Sequence, residues 1–292
     1  MTFNPDSDIS GGKTSRRGRT TGIAVGGGLG AIALVVISQL LGVDLTGFLG
    51  GGQSEPAGPD SALTECQTGQ DANERIDCRM KGATASLEDY WVEAGPQIGL
   101  DYVGPQDLIL FSQSVATGCG NASSATGPFY CPPDQTIYID TSFYDQLEQR
   151  FGAESGPLAE MYVVAHEWGH HVQNIAGVLE STRDGQTGPT SNAVRVELQA
   201  DCFAGAWAGA ASTTEDPEGV PFLQPITREQ YTAALSAAAA VGDDRIQEAT
   251  QGQVTPHQFT HGTSEQRVRW FEAGYEQGVG VCDTFSVSGN EL

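Results

Sequence analysis

From Gly22 to Val43 the chain reads GIAVGGGLGAIALVVISQLLGV, an uncharged apolar run. At about 1.5 Å per residue it is long enough to cross a bilayer, and it exceeds the apolar part of a cleaved signal peptide. A Gly/Ser/Pro-rich stretch over 44–60 reads as a linker, so the folded body begins at residue 61. Within 61–98 the pattern is helical, with Leu87, Tyr90 and Trp91 on one face. Two β-type runs follow, Asp107–Ser112 and Gln135–Asp140, joined through a Gly/Ser/Cys-rich loop as in a long-looped hairpin. The rest is helical. Ser142 with Asp145 caps a helix to Arg150, and a longer helix covers Gly156–Ala176. Ser191 or Asn192 caps another to Ala211. Thr227 with Gln230 and Thr263 with Gln266 open the last two helices. A small antiparallel sheet followed by helices is an α+β domain.

Charge adds a direction. The chain carries −23 overall, yet residues 1–21 hold Lys13, Arg16, Arg17 and Arg19 against only Asp6 and Asp8. The positive-inside rule then predicts a cytoplasmic basic head (1–21), a transmembrane signal anchor (22–43), a linker (44–60) and an extracytoplasmic domain (61–292). The expected location is the plasma membrane, single-pass. An acidic chain offers no basic stripe to displace counterions, which excludes nucleic acid as a partner. Cys66, Cys78, Cys119, Cys131, Cys202 and Cys282 contain no CxxC and read as disulfides in an exported body. Six cysteines allow fifteen pairings; the expected one is 66–78, 119–131 and 202–282.

The chemistry centres on His166-Glu167-Trp168-Gly169-His170 in the long helix. Positions i and i+4 share a helical face, so His166 and His170 can grip one metal ion, while Glu167 reaches a water on it without being a ligand. A catalytic Zn²⁺ of this kind needs a third protein ligand and an open position. Glu197, 27 residues after His170, supplies the ligand. Asp201, one turn on, can accept the free N–H of a ligating imidazole. His261 is the candidate oxyanion donor and Tyr162 a weaker one. His171 points away from the metal and reads as packing, His257 as a solvated loop residue. Arg267 and Arg269 read as partners of the many carboxylates. The run Gln135–Asp140 could pair with an extended peptide substrate.

These residues stand in longer blocks: GPFYCPPDQTIYIDTSFYDQL (127–147), YVVAHEWGHHVQN (162–174), VELQADCFAGAWA (196–208), AAAAVGDDRIQ (237–247) and FTHGTSEQRVRWF (259–271). In them the chain resembles the bacterial neutral zinc metallopeptidase family, membrane-anchored HExxH proteases. The resemblance implies a zincin-like domain, His166 and His170 as ligands, Glu167 as catalytic base and an N-terminal anchor. The E-x-x-A-D element is similar to the third-ligand helix of gluzincin-type peptidases, which implies Glu197 and Asp201 in the roles above. Trp168 departs from the family, where a smaller apolar residue is usual. The expected function is hydrolysis of peptide bonds in a peptide or protein substrate. Two readings stand beside it: a zinc hydrolase of a non-peptide envelope amide or ester, and a non-catalytic metal-stabilised envelope protein. Glu167 argues against the last, because a structural site has no use for an unligating carboxylate.

Overall fold

The computed structural model describes residues 2–17 and 61–292. In chain order it contains β1 (Thr14–Arg16), β2 (Ser61–Ala62), α1 (Gly69–Glu74), α2 (Ile76–Ala94), β3 (Asp107–Phe111), β4 (Ser114–Thr117), β5 (Gly120–Ser123), β6 (Phe129–Cys131) and β7 (Thr136–Asp140). Then come α3 (Phe143–Phe151), α4 (Pro157–Ile175), α5 (Val178–Ser181), α6 (Asn192–Ala210), α7 (Arg228–Ala240), α8 (Asp243–Gln251) and α9 (Ser264–Gln277).

The main sheet has the order β2-β1-β3-β7-β6 and is mixed, which corrects the expected antiparallel sheet. β3 runs parallel to β1 and β7, while β2 and β6 are antiparallel edge strands. Residues 107–111 and 136–140 are therefore not two arms of a hairpin. Side-chain alternation is the same in either direction, and the connection is long enough to return the chain parallel. It holds its own hairpin, β4–β5, and then β6. The two central runs are buried on both faces, as parallel strands are, so they read as continuous apolar stretches. Since β7 lies between β3 and β6, it offers no free edge to a peptide.

The membrane expectation is also corrected. The run 22–43 lies outside the described residues, and among the described residues no helix is long and apolar enough to cross a membrane. The head expected on the far side of a bilayer packs into the body instead. Phe3 and Ile9 are fully buried, and β1 sits between β2 and β3. Arg16 pairs with Ser61, so the chain leaves and re-enters the sheet at one register position. A cytoplasmic head and an extracytoplasmic domain cannot share that ladder. The single-pass placement falls with it. Residues 61–98, read as one helical stretch, divide into β2, α1 and α2.

The helix caps follow local chemistry. Ser191 Oγ accepts from the Val194 N–H, and Thr227/Gln230 and Thr263/Gln266 form reciprocal capping boxes. Ser142 makes no side-chain cap to α3; its backbone N–H is instead held by Asp140. Disulfides Cys66–Cys78, Cys119–Cys131 and Cys202–Cys282 tie the β2–α1 segment to α2, the β4–β5 hairpin to β6, and α6 to the C-terminal tail.

Helices α6 and α9 meet backbone to backbone through glycine. A Cβ on Gly274 would overlap the Cys202 carbonyl and stand 2.8 Å from the Ala206 nitrogen; one on Gly205 would collide with Phe271. This approach sets α9 close enough for an arginine on it to reach into α6. Gly274→Ala is expected to destabilise the fold by about 1–3 kcal/mol through overpacking, read as a lower urea midpoint. An unchanged midpoint would show that the helices can part without cost.

Candidate metal centre

Helices α4 and α6 each present an i, i+4 pair to the same buried space. His166, Glu167 and His170 on α4 and Glu197 and Asp201 on α6 are all buried, at no more than 7% exposure. His166 Nε2 lies 3.2 Å from Glu197 Oε2, and His170 Nε2 lies 3.5 Å from Glu197 Oε1. The ligand atoms of His166, His170 and Glu197 all fall within 4.8 Å of one another. Glu167 is not among them.

The far side of each imidazole is already held. His166 Nδ1 is 2.9 Å from Asp201 Oδ1, and His170 Nδ1 is 2.9 Å from Gln173 Oε1. Both partners are acceptors, so each Nδ1 carries the hydrogen, and a ring in its neutral form turns an Nε2 lone pair toward the Glu197 carboxylate. Glu197 Oε1 is moreover a buried oxygen with no hydrogen-bond partner among the described residues. With both rings neutral, three electron-pair donors converge on one point, where a cation would replace the Nε2 proton between His166 and Glu197. Two imidazole nitrogens and one carboxylate form a set that suits zinc with a position left open.

The titration pattern has the same cause. Burial alone would lower His166, but Asp201 and Glu197 outweigh it and push the ring up to about 9. Burial likewise opposes ionisation of Glu197, yet His170, His261 and His166 hold it well below the usual carboxylate range. Glu167 goes the other way. Burial pushes its carboxyl up, against the pull of His170 and His166. A carboxyl raised in this way can both take and return a proton.

Asp201 belongs to a larger buried network. Arg267 from α9 donates Nε–H to Asp201 Oδ2 at 2.7 Å and Nη2–H to Oδ1 at 2.9 Å. The Tyr162 hydroxyl donates to Asp201 Oδ1 at 2.6 Å. That commits the Tyr162 proton to Asp201, which removes Tyr162 as an oxyanion donor. Arg267 does pair with a carboxylate, but a fully buried one beside the ligands.

His261 sits in the loop before α9, and the charge of Glu197 reaches it. Asp243, the first residue of α8, holds that loop. Its Oδ2 accepts the backbone N–H groups of Thr260, His261 and Gly262 at 2.6–3.0 Å, and its Oδ1 lies 3.3 Å from His261 Nδ1. Among the described residues His261 Nε2 has no partner. His257 is exposed, and His171 is buried on the far side of α4 from the ligands, against Tyr130. Trp168 is buried with its indole N–H on the Tyr102 hydroxyl at 3.1 Å, a packing role. Gln173 and Asp243 were not legible as site residues; only Gln173, three positions after His170, had a local signal.

The family described as "Putative neutral zinc metallopeptidase" matches residues 5–285. Over 259 residues the chain is 47% identical to the uncharacterized protein Rv2575 of Mycobacterium tuberculosis, covering 86% of each. Over 268 residues it is 38% identical to the uncharacterized protein YpfJ of Escherichia coli K12, covering 90% of this chain and 88% of that one. No solved structure matches. The family match runs from ahead of β1 through the sheet, α4, α6 and α9, and the chain belongs to the neutral zinc metallopeptidase family.

Proposed function

We propose that the chain is a zinc-dependent peptidase of the HExxH type, acting on peptide or protein substrates. The observation that carries this reading is the convergence of His166, His170 and Glu197 with the Glu167 carboxyl alongside but outside the ligand set. His166, His170 and Glu197 would hold the metal, which supplies Lewis acidity that acidifies water toward neutral pH and polarises a carbonyl oxygen.

The chain's own groups account for the protons. Glu167 takes a proton from the attacking water as its oxygen bonds to the scissile carbonyl carbon. The same carboxyl then gives that proton to the amide nitrogen, so the C–N bond breaks with an amine as leaving group. When its ring is charged, the form that Glu197 and Asp243 favour, His261 directs Nδ1–H to Asp243 and offers Nε2–H to the oxygen that gains negative charge. Asp201 and Gln173 keep both ligand imidazoles in the tautomer that leaves Nε2 free.

The test uses the purified full chain and an unfolded protein as substrate. One zinc per chain is expected. Removing it with a chelator should cut cleavage at least about 100-fold, and one equivalent of zinc should restore it. Cleavage that survives complete removal of the metal would overturn the reading.

A further inference from the structure

Arg195, Gln199 and Cys202 stand at i, i+4 and i+7 on α6 and form one stripe along the helix. This stripe faces the C-terminal tail. Cys202 is bonded to Cys282, and Arg195 donates Nη1–H to the Thr284 and Val287 carbonyls. The Thr284 hydroxyl donates in return to the Arg195 carbonyl at 2.7 Å. Between these ties, Gln199 Nε2 lies 2.9 Å from the Cys282 carbonyl oxygen. Gln199 Oε1 lies 3.1 Å from Gln173 Nε2, which is also 2.7 Å from the Val196 carbonyl oxygen. Gln173 Oε1 in turn lies 2.9 Å from His170 Nδ1. His170, Gln173, Gln199 and Cys282 are all buried, at no more than 8% exposure.

Two main-chain groups determine the direction of every bond in this series. The Cys282 and Val196 carbonyls can only accept. Gln199 therefore turns its amide nitrogen to Cys282, which leaves Oε1 for Gln173. Gln173 turns its own nitrogen to Val196 and Gln199, which leaves Oε1 for His170. The hydrogen of His170 then sits on Nδ1, and Nε2 is free for a metal. Turning either amide over would set its oxygen against a carbonyl oxygen, in an interior where unpaired polar groups are costly.

We propose that Gln199 is a positioning residue for the ligand His170, and that the Cys202–Cys282 disulfide makes the C-terminal tail part of the metal centre. Resting on the peptidase reading above, Gln199 acts through Gln173. It holds that amide in the one orientation that keeps Nε2 of His170 unprotonated and turned toward Glu197. The disulfide fixes the carbonyl from which the orientation starts, 80 positions along the sequence from α6.

Zinc affinity of the full chain, read by competition with a chromogenic chelator, tests this. Gln173→Met should lower the affinity about 10–100-fold. Gln199→Met keeps the volume, removes both hydrogen bonds and should lower it about tenfold. Added to Gln173→Met, the same change should cost less than about twofold, because the group it acts through is gone. Cys202→Ala/Cys282→Ala frees the tail and should also lower the affinity; it stands in for Gln199→Met if that variant fails to fold. In the zinc-loaded parent the nitrogen spectrum of the imidazoles should place the His170 proton on Nδ1, with slow exchange that Gln199→Met speeds at least about tenfold. Parental affinity in Gln199→Met or in the cysteine variant would overturn the proposal, and a lower urea midpoint alone would then mark a role in folding. So would a full tenfold loss in the Gln173→Met background, or a His170 proton on Nε2. A parent that takes up no zinc would overturn the peptidase reading and the proposal together.

Discussion

Glu167→Gln should bind zinc like the parent and lose about 10²–10⁴ in kcat, equivalent to roughly 3–5.5 kcal/mol of transition-state stabilisation. Glutamine keeps the shape of the side chain and can still accept a hydrogen bond through its carbonyl oxygen. It cannot take a proton from water. Because Glu167 lies outside the His166/His170/Glu197 set, the change leaves every ligand in place. The contrast is Glu197→Ala, which removes a ligand and should empty the site. Zinc content and kcat measured on both variants separate the roles. Turnover near the parental rate in Glu167→Gln with zinc bound would mean that the proton goes elsewhere.

Features carried by a single helix or cap were legible in the sequence. The i, i+4 pairs His166/His170 and Glu197/Asp201 and the capping boxes at Thr227 and Thr263 depend only on helical geometry and neighbouring residues. What failed depends on long-range pairing. Strand direction leaves no mark on alternation, so β3 and β7 looked like a hairpin and are parallel. The β1 strand is only three residues, the polar Thr14 and Ser15 and the charged Arg16, and it sits beside an apolar run that points toward a membrane. Its place in the sheet comes from partners about 46 and 94 positions away, at Ser61–Ala62 and Leu108–Leu110. Asp243 and Arg267 look like ordinary helix residues in sequence. Only the packing of α8 and α9 against α6 and the loop before α9 buries them.

Arg267 shows how much such packing is expected to contribute. Arg267→Met should cost about 3–5 kcal/mol of stability, because the Asp201 carboxylate is fully buried and keeps only Tyr162 and His166 as partners. Zinc affinity should fall about 10–100-fold as well, since Asp201 is no longer held where it orients the His166 ring. Arg267→Lys should not rescue either effect, because two hydrogen bonds from a planar fork cannot be replaced by one ammonium group. Urea unfolding with and without zinc, together with a zinc titration, measures both quantities. The double variant Asp201→Asn/Arg267→Met separates them. With no unpaired charge left in the interior, most of the stability should return, whereas the neutral amide is a poorer acceptor for the His166 N–H, so zinc affinity should stay low. If affinity recovered together with stability, Arg267 would serve only the fold. If affinity stays low while stability returns, the ion pair orders the ligand, and a residue on α9 sets the metal affinity of a site built on α4 and α6.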